Sequence, residues 1–153
     1  MSKEKLLISA KKLTQPEVSA AEEYSLKRDT MVEKLNKIML GRADLENLIG
    51  QNNIDMMLDN HRNHARFIES ILFNYEPEIL VTTVLWVYRA YRTHGFKLTY
   101  WPAQLNMWIK ILKEELSELS YNQIYPFYNW MLINQVEFVE ASDDKINLKN
   151  ISE

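Results

Sequence analysis

The chain has 153 residues, a net charge of −3 and a pI of about 5.7, which argues against a nucleic-acid-binding surface. It contains only three Gly and four Pro, too few for the turns of an all-β fold, and it lacks Cys, which excludes disulfides, thiolate metal sites and thiol catalysis. Aromatic residues make up 11% of the chain and are concentrated between residues 67 and 138, which calls for a structural or functional explanation.

The N-terminal half is predicted to form four helical segments. Residues 1–14 are expected to be a helical extension that swings or docks separately. The capping box Thr14-Gln15-Pro16-Glu17 predicts a helix that starts after Thr14 and ends at Leu40, before Gly41. A short helical turn over residues 44–49 and a helix over residues 54–73 follow, the latter with apolar residues at a period of 3.6.

The C-terminal half is predicted to contain three longer helices. Pro77 marks the first turn of a helix that ends near His94 and is apolar on every side, which predicts a buried central helix. The next helix starts at Thr99 or Tyr100. A second capping box, over residues 120–123, predicts one long final helix to about Val139, with a kink or delayed start at Pro126.

These elements predict an all-α fold in one domain over residues 15–141. Five or six main helices would surround the buried central helix, which favours a globin-like or another layered helical arrangement. Residues 142–153 are polar and are expected to form a flexible tail.

Two histidines are the first candidate ligand-binding residues. His61 and His64 are three residues apart, so they share a helix face with the apolar Ile68. Such a pair suits a metal ion or haem iron, but it also suits histidines that simply pack in a core or crevice. A metal site would need further ligands, and His94 is the only other histidine.

The second half of the central helix supplies five more candidates: Trp86, Tyr88, Arg89, Tyr91 and Arg92. Arg89 follows an apolar stretch, and a buried guanidinium needs a carboxylate, several carbonyl groups or a bound anion. The alternative is that the helix emerges at the surface there, since basic residues near a helix C-terminus interact favourably with the macrodipole.

Aromatic residues on the last two helices complete the candidate set. Trp101 and Trp108 lie on the predicted buried face of one helix, and Tyr128 belongs to a tyrosine stripe on the other, which suits a pocket wall or a subunit interface. No phosphate-binding loop, nucleophile elbow or pair of buried carboxylates is apparent, so we do not expect an enzyme.

Three segments resemble a known family. Asn60–Phe67, Trp86–Arg92 and Tyr100–Leu105, within residues 40–138, are similar to the haem-free globin-type sensor domains of Bacillus sporulation control. The resemblance is to the plasmid-encoded sporulation-inhibitory proteins that copy the sensor domain of a sporulation histidine kinase. It implies a dimeric globin-like fold without haem, a hydrophobic tunnel for a fatty acid, and an adjoining polar or halide site.

The expected function is therefore a small-molecule sensor domain. It would bind a fatty-acid-like molecule and chloride, form a homodimer, and inhibit sporulation by competing with a sensor histidine kinase for its signal. We expect it in the cytoplasm, because no targeting signal or membrane-spanning stretch is apparent. The alternatives are a haem-binding globin sensor that uses His61, His64 or His94, and a ligand-free protein-interaction module.

Overall fold

A computed structural model describes residues 2–152, with side chains described through residue 143. Over this range the chain forms eight helices and no strand, which confirms the all-α prediction. The helices are α1 (Ser2–Ala10), α2 (Val18–Leu40), α3 (Leu45–Ile49), α4 (Ile54–Phe73), α5 (Pro77–Arg92), α6 (Tyr100–Glu115), α7 (Glu118–Ile133) and α8 (Gln135–Ser152).

The long helix α2 has the most extensive packing. It contacts α4, α6 and α7, and its Tyr24, Met31 and Leu35 side chains are fully buried. Helix α5 instead packs against α1 and α8 and leaves Ile79 and Trp86 47% and 59% exposed. The prediction that α5 is buried on every side is therefore wrong, because one apolar strip of this helix faces solvent. The globin-like arrangement stays a prediction.

Helix α1 is docked on the rest of the protein. Leu6 and Ala10 are fully buried where α1 packs against α5 and α8. The Trp130 indole N–H donates to the Ser9 hydroxyl at 2.8 Å, and the Tyr75 hydroxyl donates to the Ala10 carbonyl. The segment expected to swing or dock separately is thus held against α5 and α8 by both apolar packing and hydrogen bonds.

The first capping box does not form. Helix α2 begins at Val18, and the preceding residue makes no side-chain cap. The Gln15 side chain instead donates to the Leu72 carbonyl at 2.6 Å and accepts from the Tyr75 backbone N–H at 2.6 Å. These long-range bonds hold Gln15 at the end of α4, so the helix starts later than predicted. Its predicted end at Leu40 is confirmed, as are both ends of α4.

The predicted final helix is two helices. Helix α7 starts earlier than the second capping box predicts, because the Ser117 hydroxyl caps it by accepting from the Ser120 N–H at 3.3 Å. It ends at Ile133, and the side chain of the following Asn134 donates to the Trp130 carbonyl at 2.8 Å. Pro126 lies inside α7. Helix α8 then continues through the segment predicted to be a tail, and Ser142 is buried.

Two turns are joined to each other by one asparagine. The Asn53 side chain donates to the Ile49 carbonyl at 2.7 Å and to the His94 carbonyl at 2.8 Å. Close to it, Gly50 has a φ of 83°, and a Cβ there would lie 3.3 Å from the Gly95 carbonyl oxygen. Glycine suits this conformation and this close approach. The start of α4 is thereby held beside the end of α5.

Candidate ligand-binding cavity

A cavity of about 220 Å³ lies among α4, α5 and α6 and is completed by one residue each from α7 and α8. An engineered cavity of about 150 Å³ binds benzene, and drug-sized ligands occupy about 300–1,000 Å³. The cavity therefore suits a small ligand. It is lined by Asn60, Asn63, His64, Phe67, Thr83, Val84, Trp86, Val87, Tyr88, Tyr91, Trp101, Gln104, Leu105, Met131 and Phe138.

Most of the cavity wall is apolar or aromatic. Tyr88 stacks on Trp101 with ring centroids 5.0 Å apart, and Phe138 packs against Tyr88 at 5.2 Å. These rings are buried, whereas Trp86 is mostly exposed and so marks the place where the cavity meets solvent. A hydrocarbon chain would be removed from water on such a surface, which is the main source of affinity for apolar ligands.

A pair of buried amides forms one polar part of the wall. The Asn60 side-chain oxygen accepts from the Tyr100 hydroxyl at 2.8 Å and from the Gln104 side-chain nitrogen at 2.6 Å. The Asn60 nitrogen carries two N–H groups, of which the Tyr91 hydroxyl takes one at most. The described hydrogen bonds of the Gln104 side chain use its nitrogen and leave its oxygen unoccupied. Because both residues line the cavity, an Asn60 N–H and the Gln104 oxygen are available to a ligand.

His64 contributes the second polar group. Its Nε2 lies 3.0 Å from the Tyr128 hydroxyl, which lies 2.7 Å from the Tyr24 hydroxyl on α2. Burial among Trp108 and Tyr128, together with the nearby His61, lowers the pKa of His64 to about 3. His64 is therefore neutral at physiological pH. Its Nδ1 has no partner among the described residues.

The cavity wall as a whole carries no charge. The Tyr88 hydroxyl donates to the Gln135 side chain, and burial raises the pKa of Tyr88 well above its ordinary value. Burial likewise raises the pKa of Tyr91. None of the described residues that line the cavity is Lys, Arg, Asp or Glu. Polar contacts to a ligand would therefore be neutral hydrogen bonds.

Five of the predicted site residues lie in this wall: His64, Trp86, Tyr88, Tyr91 and Trp101. Four others lie outside it. Trp108 and Tyr128 pack against His64, Ile68 is fully buried, and His61 is fully buried with its Nδ1 2.7 Å from the Asn36 side-chain oxygen. We therefore assign Trp108 and Tyr128 a supporting role, because they pack against a residue that faces the cavity, whereas Ile68 and His61 are buried in the protein interior.

The two predicted arginines do not line the cavity. Arg92 pairs with Asp143 on α8 at 2.5 Å and approaches the Ser142 hydroxyl at 3.4 Å. Its carboxylate partner thus comes from the segment predicted to be a tail. Arg89 is half-buried and forms no ion pair with a described side chain. The structure therefore corrects the expectation that these arginines hold an anion in the cavity.

Sequence reasoning missed the amide pair. Asn60, Asn63 and His64 follow the three- and four-residue spacing of one helix face, and Gln104 lies between Trp101 and Leu105 on the buried face of α6. A polar residue in such an apolar face is itself a signal of a buried hydrogen-bond network. The remaining missed wall residues are apolar or small and differ little in sequence from core residues.

The three histidines do not form one site. His61 is buried, His64 faces the cavity and His94 is exposed at the surface. Among the residues whose side chains are described, no group of three or more potential ligands could hold a metal ion. Within the described range, none of the helices has the length and apolar character needed to cross a membrane.

Comparisons with known proteins add no relative. No protein-family model matches the chain, and no curated protein or solved structure matches it either. Function must therefore be inferred from the cavity and from the segments that surround it.

Proposed function

We propose that this protein is a sensor domain that binds a small amphipathic molecule with a hydrocarbon chain. The observation that carries the proposal is the aromatic and apolar cavity with neutral polar groups in its wall. Pockets of this composition, in which a few polar groups orient an otherwise apolar ligand, are typical of small-molecule sites.

The position of the resemblance supports the same function. Most of the cavity wall comes from the three segments that are similar to haem-free sporulation sensor domains, namely Asn60–Phe67, Trp86–Arg92 and Tyr100–Leu105. Only Thr83, Val84, Met131 and Phe138 lie outside them. A shared pattern concentrated in the wall of a cavity favours a shared ligand-binding function over a merely shared core.

The proposed biological role is competition for a signal. A domain that binds the same small molecule as a sporulation histidine kinase sensor would lower the free concentration of that molecule and inhibit sporulation. The homodimer and the chloride ion implied by the resemblance are part of this proposal. Sedimentation of the purified protein tests the homodimer, and bromide anomalous scattering in a crystal tests the halide.

The binding function is tested on the protein as it is purified. Native mass spectrometry should show a bound molecule of low mass, and organic extraction followed by mass spectrometry should identify its chain length. The control is the Val87→Trp variant, which places a bulky ring in the cavity wall and should carry less of that molecule. A protein that carries no molecule and that is not stabilised by added amphiphiles would contradict the proposal.

A further inference from the structure

The polar groups in the cavity wall decide which head group a bound amphiphile can carry, an inference that rests on the proposed function. We infer that the cavity selects an uncharged head group that both donates and accepts hydrogen bonds, such as a primary alcohol or a primary amide. A carboxylate is the wrong head group for this wall.

The hydrogen-bonding atoms that the wall residues Asn60 and Gln104 leave unused are of both kinds. The Asn60 side-chain oxygen already accepts from Tyr100 and Gln104, so this amide can offer a ligand the N–H donors of its nitrogen. The Gln104 side-chain nitrogen already donates to the Asn60 oxygen and to the Tyr100 hydroxyl, so this amide can offer a ligand its oxygen as an acceptor. A hydroxyl or a primary amide carries both a donor and an acceptor, which matches these two atoms. A carboxylate accepts only, so it would face the Gln104 oxygen with no proton between them.

Electrostatics also disfavours a charged head group. Moving an ion out of water into an apolar cavity is unfavourable unless an opposite charge compensates for the lost hydration. The described cavity wall includes no cation, His64 is neutral, and Arg92 is already paired with Asp143. The wall includes no anion either, so a ligand ammonium group is equally uncompensated.

The cavity volume limits the length of the chain. If benzene, with its six carbon atoms, occupies a cavity of about 150 Å³, the observed volume of about 220 Å³ accommodates about nine non-hydrogen atoms. Octan-1-ol has this size. A longer chain would have to pass Trp86 and reach solvent, because Trp86 stands where the cavity opens.

A matched series of eight-carbon compounds tests the inference on the full chain. Octan-1-ol, octanamide, sodium octanoate and octylamine share one chain and differ in head group. Binding is followed at pH 8 by calorimetry and by tryptophan fluorescence, to which the wall residues Trp86 and Trp101 contribute. We expect the alcohol and the amide to bind at least about tenfold more tightly than either charged compound.

The octanoate titration adds an internal check. Only the protonated acid has a neutral head group, and its pKa lies near that of a simple carboxylic acid, about 4–5. Its apparent affinity should therefore rise about tenfold when the pH is lowered from 8 to 7. The affinity of octan-1-ol should not change over the same interval.

Two other outcomes of this titration series would contradict the head-group inference or the proposed function. If octanoate or octylamine at pH 8 binds as tightly as the alcohol, the inference about the head group is wrong and the proposed binding function stands. If none of the four compounds binds, the proposed function is wrong and the inference falls with it.

A variant identifies the atoms responsible. Gln104→Met keeps the length of the side chain and removes its amide, so it should weaken octan-1-ol binding by about three- to tenfold, the value of one neutral hydrogen bond. The matched control is Gln123→Met, whose amide bonds to the Glu17 backbone far from the cavity and should leave affinity unchanged. Equal affinity of Gln104→Met and the native protein would contradict the assignment to Gln104. If Gln104→Met does not fold, the head-group series on the native protein still decides the inference.

Discussion

The Gln104 side-chain nitrogen donates to the Asn60 side-chain oxygen at 2.6 Å and so joins α6 to α4 inside the protein. The Tyr100 hydroxyl donates to the same oxygen at 2.8 Å. This one acceptor therefore satisfies two buried donors, and the arrangement also decides which amide atoms remain for a ligand. Structure and binding depend on the same bonds.

The first prediction concerns the stability that this arrangement provides. Asn60→Leu leaves the Tyr100 hydroxyl and the Gln104 amide without their acceptor, so the free energy of unfolding should fall by about 2–4 kcal/mol. Urea denaturation measures the change. The control is Asn106→Leu at an exposed position of α6 outside the cavity wall, where we expect a change below about 0.5 kcal/mol. Equal losses in the two variants would show that the network is not a source of stability.

The second prediction concerns the chain of contacts from His64 to α2. Tyr128→Phe removes the hydroxyl between His64 and Tyr24, both of which then lose a buried partner. The free energy of unfolding should fall by about 1–3 kcal/mol. Tyr125→Phe is the matched control, because the Tyr125 hydroxyl makes only a 3.3 Å bond within its own helix. A larger effect in the control than in Tyr128→Phe would refute the assignment.

The third prediction concerns α1. Leu6→Ala removes a fully buried side chain and should lower the free energy of unfolding by about 2–5 kcal/mol. Ile8→Ala, on the opposite side of α1 and 60% exposed, should have an effect below about 1 kcal/mol. If neither substitution changes the free energy of unfolding, α1 is not docked in solution and the sequence-based expectation of a separate extension holds.

The fourth prediction concerns the pH dependence of one capping carboxylate. Burial by itself opposes ionisation of Glu23, but hydrogen bonds from the Ser117 backbone N–H and from the Ser117 and Ser120 hydroxyls outweigh it and lower the pKa of Glu23. A carboxyl whose pKa is lower in the folded state stabilises the protein above its unfolded-state pKa, near 4.5. That contribution is lost as the pH falls through the folded-state pKa.

Comparing the native protein with Glu23→Gln isolates this contribution. The difference in unfolding free energy should be constant between pH 6 and pH 8, below about 1 kcal/mol because the group is partly solvated, and should decrease below about pH 4.5. A difference that grows on acidification has the wrong sign and would contradict the assignment.

Local signals predict much of the fold. The apolar period of α4 predicts both of its ends, and Pro77 predicts the start of α5. The predicted helix starts are wrong where a side chain bonds to a residue distant in sequence instead of to a nearby backbone group. Gln15 bonds to the end of α4 instead of entering α2, and Glu23 bonds to Ser117 and Ser120. No pattern within a few residues reveals such a partner.

The site shows the same division. Aromatic density predicts a pocket wall, and five of the residues predicted from it and from helix spacing lie in the wall. The prediction that Arg92 faces a ligand is linked to the prediction that residues 142–153 form a flexible tail, since such a tail would offer Arg92 no fixed partner. Because α8 is a helix that carries Asp143 to Arg92, the charge expected in the cavity is neutralised outside it. The pairing partner of a charged residue is a property of tertiary packing.

The most direct test of the central claim is a calorimetric titration of the purified, delipidated protein with octan-1-ol. The native protein and the control Val18→Trp, altered at an exposed position remote from the cavity wall, should show saturable one-to-one binding. Val87→Trp, which fills the cavity wall, should bind at least about tenfold more weakly. Binding that is absent from the native protein, or that is equal in all three proteins, would contradict the claim that this cavity is a ligand site.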